Sequence, residues 1–84
     1  MGNSIDVQVL YSDGSPIRGA KVEIFIDAGL LSGGRLEEYA DDDGHAEFET
    51  GEDYPDYQEF TILVRGQSFG PYEIGGGAYT VQLD

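Results

Sequence analysis

Residues 14–26 read GSPIRGAKVEIFI, and this stretch decides what kind of fold the chain adopts. Glycine tolerates positive φ, proline fixes its own φ, and aspartate can hydrogen-bond its own backbone. Ser12-Asp13-Gly14-Ser15-Pro16 is therefore a turn. Beyond it, Ala20, Val22, Ile24 and Ile26 fall on one side of an extended chain, with Lys21 and Glu23 on the other. That period of two marks a strand with one buried face. Phe25 breaks the alternation and is expected to cover a flank. The small Gly19-Ala20 step is expected to let the strand begin close against its neighbour.

The same grammar repeats outward in both directions. Upstream, Ile5, Val7, Val9 and Tyr11 alternate with Asp6 and Gln8. Downstream, residues 28–34 (AGLLSGG) form a loop. Residues 35–40 then fit either a helix through Leu36, Tyr39 and Ala40 or a short strand, and strand is preferred because glycine and an aspartate run leave no room for a stable helix. His45 to Thr50 alternates, with Ala46 and Phe48 inward and His45, Glu47 and Glu49 outward. A polar loop over residues 51–56 leads to Phe60, Ile62 and Val64. Phe69, Tyr72 and Ile74 suggest a sixth strand interrupted by Gly70-Pro71, and Tyr79, Val81 and Leu83 a last one. About seven short strands separated by turns predict one all-β sandwich domain over residues 1–84.

Composition bounds the function. The 84 residues carry 17 acidic against 4 basic side chains, a net charge of −13. Nucleic acid requires clustered cations, so it is not an expected partner, and anionic membranes are disfavoured likewise. No apolar run approaches the ~18 residues of a membrane span, so no membrane insertion is expected. With no cysteine, disulfides and thiolate zinc sites are excluded. No signal h-region is evident, and Asp6 stands where a myristoylation start needs Ser or Thr. The expected address is cytoplasmic for a full-length chain and extracytoplasmic for one excised from a longer exported protein. A domain of this size buries roughly 60–65% of the surface its unfolded chain exposes. Ten aromatics, six Tyr and four Phe, argue for an ordered chain despite the charge. Acidity with a single lysine resembles proteins of salt-loving organisms. A basic partner and a bound divalent cation are the rival explanations.

The run in residues 14–26, then DDDGHAEFE in residues 41–49 and YTVQL in residues 79–83, resembles carboxypeptidase regulatory-like domains. These belong to the transthyretin (prealbumin)-like β-sandwiches and are related to collagen-adhesin B-type repeats. Gly14, Pro16, Gly19, Ala20 and Val22 match the first family signature, and Asp41, Gly44 and Phe48 the later Asp-Gly hairpin. Ala40 stands where the family usually has Thr. The resemblance implies a Greek-key sandwich of prealbumin-like or immunoglobulin-like type. It specifies turns and core positions and implies no catalytic activity. Some adhesin-type relatives join first and last strands by a lysine isopeptide bond. The first strand here has no lysine, so that cross-link is not expected.

Candidate chemistry concentrates in two places. The first is the acidic loop at Asp41, Asp42 and Asp43. As an EF-hand it would need carboxylates where Tyr39 and Thr50 stand, so that reading fails. A looser calcium site, helped by Glu38, is the alternative to a solvated turn. His45 and Glu47 share a strand face, but one imidazole without a second soft ligand makes a poor transition-metal site. The second place is the pair of loops Tyr54-Pro55-Asp56-Tyr57 and Phe69-Gly70-Pro71-Tyr72. There Tyr54, Tyr57, Phe69 and Tyr72 could stack on sugar rings beside carboxylates, or could close the ends of a small core. No nucleophile–histidine grouping or phosphate loop occurs. The expected role is a monomeric, non-catalytic structural or interaction module with a protein partner and no required cofactor. Carbohydrate binding and calcium-stabilised adhesion are the alternatives.

Overall fold

The computed structural model describes residues 4–27, 34–50 and 53–83, and the start of the chain and most of the AGLLSGG loop lie outside that range. Among the described residues there are seven strands: β1 (Ser4–Leu10), β2 (Lys21–Ile26), β3 (Gly34–Tyr39), β4 (His45–Glu49), β5 (Glu59–Val64), β6 (Gln67–Glu73) and β7 (Ala78–Gln82). A single 3-10 turn, Ile74–Gly76, separates the last two. They form a three-stranded sheet ordered β4-β1-β7 and a four-stranded sheet ordered β3-β2-β5-β6. All pairings are antiparallel except β1 with β7, which is parallel. The fold is all-β, and the sheets pack as a sandwich. No helix among the described residues is long and apolar enough to cross a membrane.

Alternation explains the layering. Ile5, Val7 and Val9 of β1, Ala46 and Phe48 of β4 and Val81 of β7 point from one sheet into the core. Val22, Ile24 and Ile26 of β2 and Phe60, Ile62 and Val64 of β5 meet them from the other. No charged or polar side chain is buried among the described residues, so the interior closes without a desolvated charge. Each large aliphatic side chain there contributes about 1.5–3 kcal/mol through removal from water.

Five local expectations are corrected. The Asp-Gly turn after β3 does not close a hairpin within one sheet. β3 pairs only with β2 and β4 only with β1, so the turn carries the chain across the sandwich. Gly70-Pro71 does not interrupt β6, which runs through it, and a register shift between Phe60 and Ile62 of β5 absorbs the irregularity. Ile74 leaves the strand and is buried instead from the 3-10 turn. Gly19 is not in a crowded place: a Cβ there would meet nothing within 4 Å, and its φ of +70° is what requires glycine. Tyr11, read as the inner end of the first strand, is exposed beyond it, with the Arg65 guanidinium 5.8 Å from its ring centroid.

The β5–β6 connection is a true hairpin. Val64 pairs with Gln67 across Arg65-Gly66, whose φ values are 51° and 82°. Two consecutive positive φ values make the turn whose twist matches paired strands. Ile17 also enters the core although it lies outside any strand, because its N–H donates to the Val9 carbonyl at 3.0 Å.

Candidate functional site

The acidic turn is built from backbone needs. The Gly44 N–H donates to the Asp41 carbonyl at 3.0 Å, and the Asp41 N–H to the His45 carbonyl at 2.9 Å. Asp41 Oδ1 accepts from the His45 N–H at 3.0 Å and the Asp43 N–H at 2.9 Å. Those two donors, His45 first, hold the Asp41 carboxyl below the usual aspartate range. Asp42 and Asp43 point to solvent. Among the described residues no three acidic or histidine side chains gather as metal ligands. Asp13 does the same work at the first turn. Its Oδ1 accepts from the Ser15 hydroxyl at 2.6 Å and the Ser15 N–H at 2.9 Å, and these bonds, the hydroxyl foremost, lower its pKa.

His45 finds a partner that its own strand does not supply. Its Nδ1 lies 3.2 Å from Asp6 Oδ1 on β1, across the β1–β4 ladder in which Asp6 opposes Glu47. The imidazole thus sits beside one of two carboxylates, Asp6 and Glu47, that oppose each other across the strands. A parallel arrangement occupies the outer face of the four-stranded sheet. There Glu23 opposes Glu37, and Arg35 reaches both, with Nε 2.6 Å from Glu23 Oε2 and Nη2 2.9 Å from Glu37 Oε2. Glu23 above all raises the Arg35 pKa. Lys21 Nζ adds a contact to Glu37 at 3.4 Å, which places the sole lysine on the solvent face, as its alternation predicts.

The aromatic set divides. Tyr54, Phe69 and Tyr72 pack against the core, as does Tyr79, while Tyr57 is 74% exposed. Phe60, Tyr72 and Tyr79 form one cluster, with Phe60 edge-on to Tyr79 at 5.0 Å and Tyr72 5.4 Å from Tyr79. Tyr79 also ties down the preceding turn. Its hydroxyl donates to the Glu73 carbonyl and accepts from the Gly77 N–H at 3.0 Å. Its inward position was readable from alternation, but its hydroxyl role was not, because the partners belong to an irregular turn. Of the four predicted ring positions, one ring is open and three are partly buried against the core.

No family model matches the chain, and no curated protein matches it. Among solved structures, a 9R-lipoxygenase from Cyanothece PCC8801 is similar, with a TM-score of 0.52 and 17% identity. The likeness covers 99% of this chain but 16% of the lipoxygenase. At that identity it speaks to fold alone.

Proposed function

We propose that the chain is a non-catalytic structural or interaction module of the carboxypeptidase regulatory-like, prealbumin-like kind. One observation carries this reading: several of the side chains that could have done chemistry are engaged in holding the fold. Asp41 caps a turn, His45 sits against Asp6, and Tyr72 and Tyr79 close the core beside Phe60. The strand routing supports the finer fold assignment. β1 is central in one sheet and β2 in the other, and the chain changes sheet at β1–β2, β3–β4, β4–β5 and β6–β7, a routing that favours the Greek-key reading. The resemblance residues also act as turn and core positions, with Gly14 and Gly44 at positive φ and Ala20, Val22 and Phe48 buried.

Titration of the isotopically labelled protein with calcium and with a panel of oligosaccharides tests this. No saturable shift is expected at Asp41, Asp42, Asp43, Tyr54, Tyr57, Phe69 or Tyr72. A saturable calcium response at the three aspartates replaces the reading with a calcium-stabilised module. A saturable sugar response around Tyr57 replaces it with a carbohydrate-binding one.

A further inference from the structure

Four strands are sheet edges: β3 and β6 in one sheet, β4 and β7 in the other. An edge offers unpaired N–H and C=O groups to any extended chain, and proteins blunt it with charge, proline or irregularity. Three of these edges are blunted in those ways. β3 (GRLEEY) carries Arg35, Glu37 and Glu38, the last on a position that pairs with inward-facing Val22. β4 (HAEFE) carries Glu47 and Glu49. β6 (QSFGPYE) contains Pro71, which has no N–H, and opposes a register shift. β7 reads AYTVQ, with no charge, no proline and no irregularity. In a chain with 17 acidic residues, this edge alone among the described strands is left open and neutral.

The backbone phase shows which groups it offers. The Asp6 N–H donates to the Gly77 carbonyl at 2.8 Å, and the Leu83 N–H to the Leu10 carbonyl at 2.8 Å. In a parallel ladder this phase turns the polar groups of residues 77, 79, 81 and 83 toward β1. Those of Ala78, Thr80 and Gln82 face the free side, where no strand of the described residues pairs with them. All three residues are exposed. On the inner side, the half-buried rings of Tyr79 and Tyr72 lie at this margin of the sandwich.

We propose that the free edge of β7 is a strand-addition site for an extended basic segment of a partner protein. This rests on the interaction-module reading above. Backbone pairing supplies affinity and alternate side chains supply selectivity in such docking. Charge chooses the occupant. A second copy would bring two surfaces of net −13 together, whereas a cationic segment is attracted to one. A strand added about 4.8 Å beyond β7 places every second side chain on the outer face. There Lys or Arg reaches toward Asp6, which opposes Ala78 on β1. The intervening side chains fall over the tyrosine rings. The segment it fits therefore alternates basic and apolar residues.

The test uses the whole chain with the synthetic peptide Lys-Val-Lys-Val-Thr-Val-Lys and its glutamate counterpart, followed by amide shifts and hydrogen exchange. The lysine peptide is expected to protect the amides of Ala78, Thr80 and Gln82, and the glutamate peptide to leave them exchanging. Thr80→Pro removes the central outward N–H and is expected to weaken binding at least tenfold. Thr80→Lys keeps the N–H, adds like charge to the outer face and is expected to weaken it also, which covers the case of a proline variant that does not fold. Lysine-peptide shifts spread over the acidic surface and unchanged in both variants overturn the site, as does no binding. Saturable peptide binding elsewhere overturns the β7 site while leaving an interaction module standing. Protection of β7 amides that rises with protein concentration alone overturns the basic partner in favour of a second copy.

Discussion

Gly14 and Gly44 end the two turns that carry family-like residues, and replacing each with alanine separates two physical costs. Both have positive φ, 90° and 82°. A side chain there costs about 1–2 kcal/mol, less about 0.4–1 kcal/mol because alanine restricts the unfolded chain more than glycine does. At Gly14 nothing lies within 4 Å of the new Cβ, so Gly14→Ala is expected to destabilise by about 1 kcal/mol. At Gly44 the Cβ would fall 2.7 Å from the Val9 carbonyl oxygen and 3.0 Å from Pro16 Cβ. That oxygen accepts from Ile17, and the Val9 N–H donates to Gly44 itself, so the backbone that must give way is held on both sides. Overpacking of this kind adds about 1–3 kcal/mol, bringing Gly44→Ala to about 2–4 kcal/mol. Urea unfolding reads the difference. With an m-value near ~1 kcal/mol/M for so small a domain, the two midpoints should differ by about 1–3 M. Midpoints within ~0.5 M of each other would refute the crossing geometry, because they would mean the Asp-Gly turn is not wedged between β1 and the Pro16 turn.

Three more outcomes follow from particular contacts. Tyr79→Phe removes the hydroxyl that joins Glu73 to Gly77 and should lower stability by about 1 kcal/mol with the ring packing unchanged, visible as faster exchange at the Gly77 amide. Asp13 and Asp41 have lowered folded-state pKa values, so their stabilisation is present above the unfolded value near ~3.9 and fades as pH falls through the folded values. The double variant Asp13→Asn/Asp41→Asn should therefore lose less stability on acidification below about pH 4 than the parent chain, and parallel acid limbs in thermal melts would contradict the turn geometry. Glu73→Lys, which converts the Glu59–Glu73 cross-strand pair to opposite charges, should raise the melting temperature at low salt, an advantage that shrinks in 1 M NaCl.

Much of the fold is legible because a half-buried strand must alternate. Ile5, Val7, Val22, Ile24, Phe48, Ile62 and Val81, the side chains expected to form the core, are all buried. Turns with local chemistry are legible too: Asp13 and Asp41 bond within their own loops. Ile17 was not foreseeable as core because no period surrounds it, while Ile74, read as a strand position, is buried from a 3-10 turn instead. Pairing between distant strands leaves no local trace. His45 meets Asp6, 39 residues away, and no reading of the His45–Glu47 spacing contains that contact. For the same reason the sheet change between β3 and β4 looked like an ordinary hairpin. The aromatic loops show the limit for sites, since Tyr54 and Tyr57 sit beside the same proline yet one is packed and the other open.

The placement of cations bears on why so acidic a surface is tolerated. Like charges facing each other across strands cost a few tenths of a kcal/mol to about 1 kcal/mol. Glu23 and Glu37 face each other with Arg35 between them, and Asp6 and Glu47 face each other with His45 beside Asp6. Glu59 and Glu73 are also paired, and among the described residues no cation reaches either. A chain with four basic residues cannot neutralise every such pair, so the remainder depends on solvent ions. At 1 M salt the screening length is about 3 Å, shorter than the separation of facing carboxylates, and the repulsion largely vanishes. A salt-rich setting would therefore relax selection against pairs like Glu59–Glu73 while leaving the Arg35-bridged Glu23–Glu37 pair indifferent. The same screening would weaken attraction of a basic segment to β7 but not its backbone hydrogen bonds, so in such a setting the open edge would rely on strand pairing more than on charge.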